Sequence, residues 1–190
     1  MPFCVFLHLI IYIIMAEKKA TVTFDAIMRD LKSGKYAPVY ILMGDESYYI
    51  DRITDYIAEN VLDPDDRDFN QTVVFGADTT AAQVVDMAKG YPVMPAAHRV
   101  VIVKEAQGLK SLDALERYFE KPLASTLLVI AYKNGTIDRR KKVVGKAEAV
   151  GVVFESKKKR DYELPAFIET YLKKNHVAID PKSAAMIAEH

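Results

Sequence analysis

Apolar positions along this chain change period at a single short turn. Residues 39–43 (Val39, Tyr40, Ile41, Leu42 and Met43) form an unbroken apolar run between Pro38 and Gly44. Such a run predicts a strand covered on both faces. After Gly44, Asp45, Glu46 and Ser47, the residues Tyr49, Ile50, Ile53, Tyr56, Ile57 and Val61 recur at three- and four-residue intervals. That is the stripe of an amphipathic helix. Ahead of this unit, Thr23 is placed to cap a helix over 24–33 whose stripe is Phe24, Ile27, Met28 and Leu31, with Gly34 marking its end. Downstream, an acidic turn over 62–70 leads to a strand at 71–75. A helix follows on which Ala81, Val84, Val85 and Ala88 share a face, and Gly90 stops it. Further strands are predicted at 99–103, 125–131 and 152–154, and further helices at 112–119 and 138–149.

Strands alternating with helices at this spacing predict an α/β domain with a mostly parallel sheet and helices on both faces. It is expected to occupy residues 21–159. A polar break then separates it from a helix striped by Leu164, Phe167, Ile168, Tyr171 and Leu172, closed by Asn175 and His176. Asp180 and Pro181 open another helix, so residues 160–190 read as the unfinished start of a second, helical domain.

Composition adds little until the charges are located. Lys plus Arg and Asp plus Glu number 26 each, so net charge announces no nucleic-acid partner. The signs are unevenly spread. Residues 45–68 are acidic, whereas 133–160 are basic through Arg139, Arg140, Lys141 and Lys142 and then Lys157, Lys158, Lys159 and Arg160. Such runs are ordinarily solvated faces. The lone Cys4 excludes an internal disulfide framework and suits a reducing compartment. The apolar opening, residues 1–14, falls short of the about 20 residues a bilayer span requires. It also lacks the basic start and cleavage site of a signal peptide. Residues 1–20 are therefore expected to be a disordered or artefactual leader, with Met15 the initiator and a membrane-surface anchor the alternative.

Strand, glycine turn and helix are also the frame of a phosphate cradle. That cradle needs G-x-x-x-x-G-K-[ST], so that backbone amides, a lysine and a hydroxyl converge on phosphate and magnesium. The turn here carries Asp45 and Glu46 instead, and no G-x-G-x-x-G occurs anywhere. The two carboxylates fit either a magnesium site at the end of a buried strand or the positive end of a helix dipole; the helix-start reading is the expected one. His8, His98, His176 and His190 have no metal-ligand spacing, and His98 and His176 are expected to be exposed. No G-x-S-x-G elbow is present, so no catalytic, cofactor-binding or metal-ligating residue is expected. The unusual local feature is the loop after Gly90, where Tyr91, Val93 and Met94 are interleaved with Pro92 and Pro95. Prolines lower the entropy lost when a segment is held in one shape, and methionine adapts to partner grooves. Two readings stand: these side chains cap their own core, or they meet a partner.

Three stretches carry a family resemblance: A-P-V-Y-I-L-M-G-D-E-S-Y-Y-I-D-R-I, G-Y-P-V-M-P-A-A-H-R-V-V-I-V-K-E-A, and T-L-L-V-I-A-Y-K with D-R-R-K-K followed by E-L-P-A-F-I-E-T-Y-L-K-K. In order and spacing they resemble the delta subunit of the bacterial DNA polymerase III clamp loader, over about residues 24–190. The resemblance implies a AAA+-like first domain without an ATP site, the start of a helical lid domain, and a collar domain outside this chain. It implies a non-catalytic, cytoplasmic subunit that needs no cofactor and is no membrane protein. Such a subunit binds the beta sliding clamp, joins other loader subunits in a hetero-oligomer, and helps open the clamp for loading onto DNA. By position, the two adjacent hydrophobic residues that enter a clamp pocket correspond to Val93 and Met94, flanked by Tyr91 and Pro92. The family commonly has phenylalanine where Met94 stands. Arg139, Arg140, Lys141 and Lys142 read either as a contact to DNA or a neighbouring subunit, or as a solvated helix face. The competing class is an α/β nucleotide-binding enzyme using Gly44, Asp45, Glu46 and Ser47.

Overall fold

The computed structural model describes residues 22–189; the expected leader, Cys4, His8 and His190 lie outside the described residues. The described residues form two compact units, one ending at Ser156 and the other beginning at Lys157.

The first unit is built on five strands: β1 (Val39–Gly44), β2 (Gln71–Phe75), β3 (Arg99–Lys104), β4 (Thr126–Lys133) and β5 (Val152–Ser156). They pair in parallel in the order β2-β3-β4-β1-β5. The apolar run at residues 39–43 becomes the buried β1, flanked on both sides by other strands. Alternate β1 residues face opposite layers, as the two-residue side-chain period requires. Tyr40 and Leu42 join a core made with α1 (Phe24–Lys32) and α2 (Ser47–Asn60), whose contributions are Ile27, Leu31, Ile50, Ile53 and Ile57. Val39, Ile41 and Met43 face α4 (Ala81–Ala88), α5 (Glu116–Phe119) and α6 (Lys142–Val150). This is the expected α/β layer order, with a parallel sheet covered on both faces.

Caps fix several boundaries. Thr23 accepts a hydrogen bond from the Ala26 N–H and opens α1, while Gly34, at φ 74°, follows its end. At α4, Thr80 and Gln83 form a reciprocal capping box. The helix predicted over 138–149 starts only at Lys142. Asp138 accepts the Arg140 N–H at 2.9 Å and makes a local turn, which holds residues 138–141 out of the helix. The segment predicted as one helix over 112–119 is a 3-10 turn, Leu112–Leu115, running into α5. Within the acidic turn, Pro64–Asp66 forms a 3-10 turn and Arg67–Asn70 a single helical turn, α3.

The second unit holds α7 (Leu164–Lys174) and α8 (Pro181–Ala188), packed on each other. His176 lies in the left-handed region at φ 60° as α7 ends, and Val177 N–H returns to the Leu172 carbonyl. Asp180 caps α8 by accepting from the Ser183 N–H at 3.0 Å. No helix among the described residues is long and apolar enough to cross a membrane.

Candidate functional site

Two places invite a functional reading, and they lie at opposite ends of the strands. The first is the turn at the carboxyl end of β1. Gly44 adopts φ 134°, and a Cβ at that position would sit 1.9 Å from the Ser156 carbonyl oxygen. Its N–H donates to the Gly135 carbonyl at 2.8 Å, and the Asp45 N–H donates to the Ser156 carbonyl at 3.1 Å. Glu46 caps α2 by accepting the Tyr48 N–H, and Ser156 Oγ donates to the Glu46 carbonyl at 2.8 Å. The Gly44, Asp45 and Tyr48 amides are thus engaged within the chain, where a phosphate cradle would aim its amides at a ligand. Glu46 takes the helix-start role expected of it.

The neighbouring strand ends are tied as well. Lys133, the register partner of Gly44, reaches Asp51 at 2.7 Å and Glu105 at 3.2 Å. Burial pushes the Lys133 ammonium down, but the hydrogen bonds and charges of Asp51 and Glu105 outweigh this and its pKa is raised. Glu105 is held below its ordinary range by the hydrogen bond from Gln107 first and by Lys133 second. Gln107 in turn accepts the Lys133 N–H at 3.1 Å. One lysine thus ties β4 to α2 and to the residue that follows β3.

The second place is the segment between α4 and β3, at the amino ends of the strands. Its entry is held by Tyr118, whose buried hydroxyl donates to the Ala88 carbonyl at 3.2 Å, and by Thr126 Oγ1, which lies 3.5 Å from the Gly90 carbonyl. Its exit is held by Ala96, buried in the α1–α2 core, and by the Arg99 N–H on the Ser125 carbonyl. Between these anchors the side chains stay outside: Tyr91 is 74% exposed, Val93 51% and Met94 82%. Pro92 is half-buried, and the Met94–Pro95 peptide is cis. Only Ala96 of this segment enters the core. The exposed side chains leave the core-capping role unfilled.

One residue that sequence reasoning passed over meets this loop. Asn70, 1% exposed, accepts the Val93 N–H on Oδ1 at 2.6 Å and donates from Nδ2 to the Val93 carbonyl at 3.0 Å. Val93 carbonyl also accepts the Ala96 N–H at 3.2 Å. A polar asparagine ending an acidic turn carries no local sign that its partner lies 23 positions away.

The basic run is largely occupied. Arg139 pairs with Glu148 at 3.1 Å and with Glu155 at 3.0 Å; Arg140 pairs with Asp138 at 2.7 Å; Lys141 pairs with Asp113 at 3.0 Å. The Arg140 side chain and its N–H hold the Asp138 carboxyl down to about 2. Lys142 is exposed at the start of α6. His98, expected to be exposed, is half-buried with its ring edge-on to Tyr36 at 5.4 Å, because the segment entering β3 folds back against the residues preceding β1. His176 is exposed as expected. Among the described residues no group of three or more His, Cys, Asp or Glu could hold a metal ion.

Comparison with known proteins sets these features in a family. The family model described as DNA polymerase III, delta subunit, matches residues 40–157. DNA polymerase III subunit delta of Bacillus subtilis (strain 168) is 28% identical over 171 residues, covering 85% of this chain and 49% of that protein. The solved Bacillus subtilis DNA clamp loader delta protein (YqeN) superposes with a TM-score of 0.72 at 27% identity, over 86% of this chain and 51% of that one. The chain therefore spans about half the length of the relatives it matches. The matched region holds both the closed turn and the exposed loop, and on that match the chain belongs to the DNA polymerase III delta-subunit family.

Proposed function

We propose that this chain acts as a non-catalytic clamp-loader subunit that binds the beta sliding clamp and helps open it for loading onto DNA. The observation that carries the reading is the loop itself. Its backbone is fixed at Ala88, Val93 and Ala96, yet Val93 and Met94 project into solvent. Burying two such side chains in an apolar clamp pocket would supply roughly 3–6 kcal/mol of gross hydrophobic energy. Association costs consume much of it. Tyr91 and Pro92 flank the pair and complete the contact. Ring opening follows only if the docked shape fits the open clamp interface better than the closed one, since equal affinity shifts nothing.

In this reading the other loader subunits hydrolyse ATP, and this chain needs no cofactor or active site of its own. It works in the bacterial cytoplasm, within a hetero-oligomer that meets DNA when assembled. Residues 21–159 would be the AAA+-like domain and 160–190 the start of the lid. For Arg139, Arg140, Lys141 and Lys142 we favour a solvated face over a DNA contact, because three of the four already have acidic partners within the chain. Phosphate contacts would appear as steep salt dependence of DNA binding.

Replacing Val93 and Met94 singly by serine tests the docking role. Each change removes roughly 1.5–3 kcal/mol of apolar burial, which is at least tenfold in affinity for the clamp. Calorimetry or surface binding that returns unchanged affinity for both variants overturns the assignment.

A further inference from the structure

We infer that Asn70 is the positioning residue of the docking loop: its side chain presets the backbone of Val93, and so the direction in which Val93 and Met94 leave the surface. The inference rests on the docking reading above and adds to it a residue that does not itself meet the partner.

Pro92 and Pro95 bring no N–H, so the segment cannot zip itself onto the sheet by a backbone ladder. Val93, between them, has both its N–H and its carbonyl matched by a single side chain, at 2.6 Å and 3.0 Å. A primary amide is the side chain suited to this, because it presents one acceptor and one donor side by side. Aspartate would offer the N–H an acceptor but face the carbonyl with a second negative oxygen. Alanine would offer neither. Asn70 is also almost completely buried, at 1% exposed, where the α3 turn enters β2. The fork is therefore held by the sheet, while the residue it grips is half in solvent. Fixing a peptide before binding removes an ordering cost that would otherwise weaken the complex, roughly tenfold for one residue.

Two variants of the full chain test this, Asn70→Ala and Asn70→Asp, each examined by amide hydrogen exchange without the clamp and by clamp affinity. In Asn70→Ala the Val93 and Ala96 amides are expected to exchange at least tenfold faster, with Val101, Ile102 and Val103 in β3 still protected, and clamp affinity to fall roughly tenfold. Near neutral pH Asn70→Asp keeps an acceptor for the Val93 N–H but sets a negative oxygen against the Val93 carbonyl, so it is expected to lose part of the Val93 protection and of the clamp affinity. Relative to the parent chain at the same pH, it should regain Val93 protection as the pH falls and the carboxyl takes up a proton. The neutral acid can again accept from the N–H and donate to the carbonyl, a recovery that a merely space-filling residue would not show. Unchanged Val93 exchange in Asn70→Ala overturns the inference. So does faster exchange with unchanged clamp affinity, provided Val93→Ser weakens binding. If neither Val93→Ser nor Met94→Ser weakens binding, the docking reading itself fails, and hydrogen exchange alone decides whether Asn70 sets the loop. Should Asn70→Ala lose protection throughout β3, Asn70→Asp decides: protection at Val93 that does not respond to pH overturns the inference.

Discussion

Gly44 shows how much one residue decides in this molecule. Its φ of 134° is a region other residues avoid, and a methyl group there would overlap the Ser156 carbonyl at 1.9 Å. Neither side of that contact is a flexible side chain. Gly44→Ala is expected to cost about 3 kcal/mol or more, from backbone strain and the displacement of β5 together, measured by denaturant unfolding. Stability within 1 kcal/mol of the parent would show that the turn is not built as described. At this scale the sequence was legible where chemistry is local. Glu46 caps the helix it precedes, and Thr23 does the same for α1. Asn70 was illegible because its bond to Val93 spans 23 positions and no neighbouring residue signals it. His98 was misjudged for the same reason, since the aromatic ring it meets belongs to Tyr36.

At the scale of elements, apolar period located every strand of the first unit, and structure moved mainly the ends. β4 runs on to Lys133 because its last residues pair with Met43 and Gly44 of β1, a partnership that hydropathy does not record. α6 starts late because Asp138 and Arg140 take each other up in a tight turn. α4 leads directly into the exposed loop at Tyr91, Val93 and Met94, since its carboxyl end is the loop's entry. Its start is fixed by Thr80, which accepts from the Gln83 N–H at 3.3 Å while Gln83 Oε1 accepts the Thr80 N–H at 2.9 Å. Thr80→Ala should destabilise the domain by about 1 kcal/mol, and Thr80→Ser should restore most of it. A thermal midpoint unchanged in the alanine variant would argue that α4 is held by packing alone.

Across the whole first unit, the sheet has the parallel α/β frame read from the sequence while its carboxyl ends are fastened internally. Ser156 closes the turn over β1, and Lys133 joins Asp51 to Glu105. Millimolar ATP with magnesium is therefore expected to leave the thermal midpoint unchanged within about a degree. A ligand present at a hundred times its dissociation constant would add about 2.7 kcal/mol and raise the midpoint by several degrees. Such a rise would revive the nucleotide-enzyme reading. The frame was legible in the sequence because strand, turn and helix have distinct periods. Its fastening was not, because Gly135 and Ser156 reach the turn from far along the chain.

Met94 has a consequence of a different kind. At the tip of the loop this chain presents a thioether that is 82% exposed. Peroxide transfers an oxygen atom to such a sulfur, giving a polar sulfoxide and water. A greasy tip then becomes a hydrated one with the fold around it intact. Where an aromatic residue would shrug off mild oxidants, this loop carries its own chemical ageing, reversible only by a reductase that can reach it.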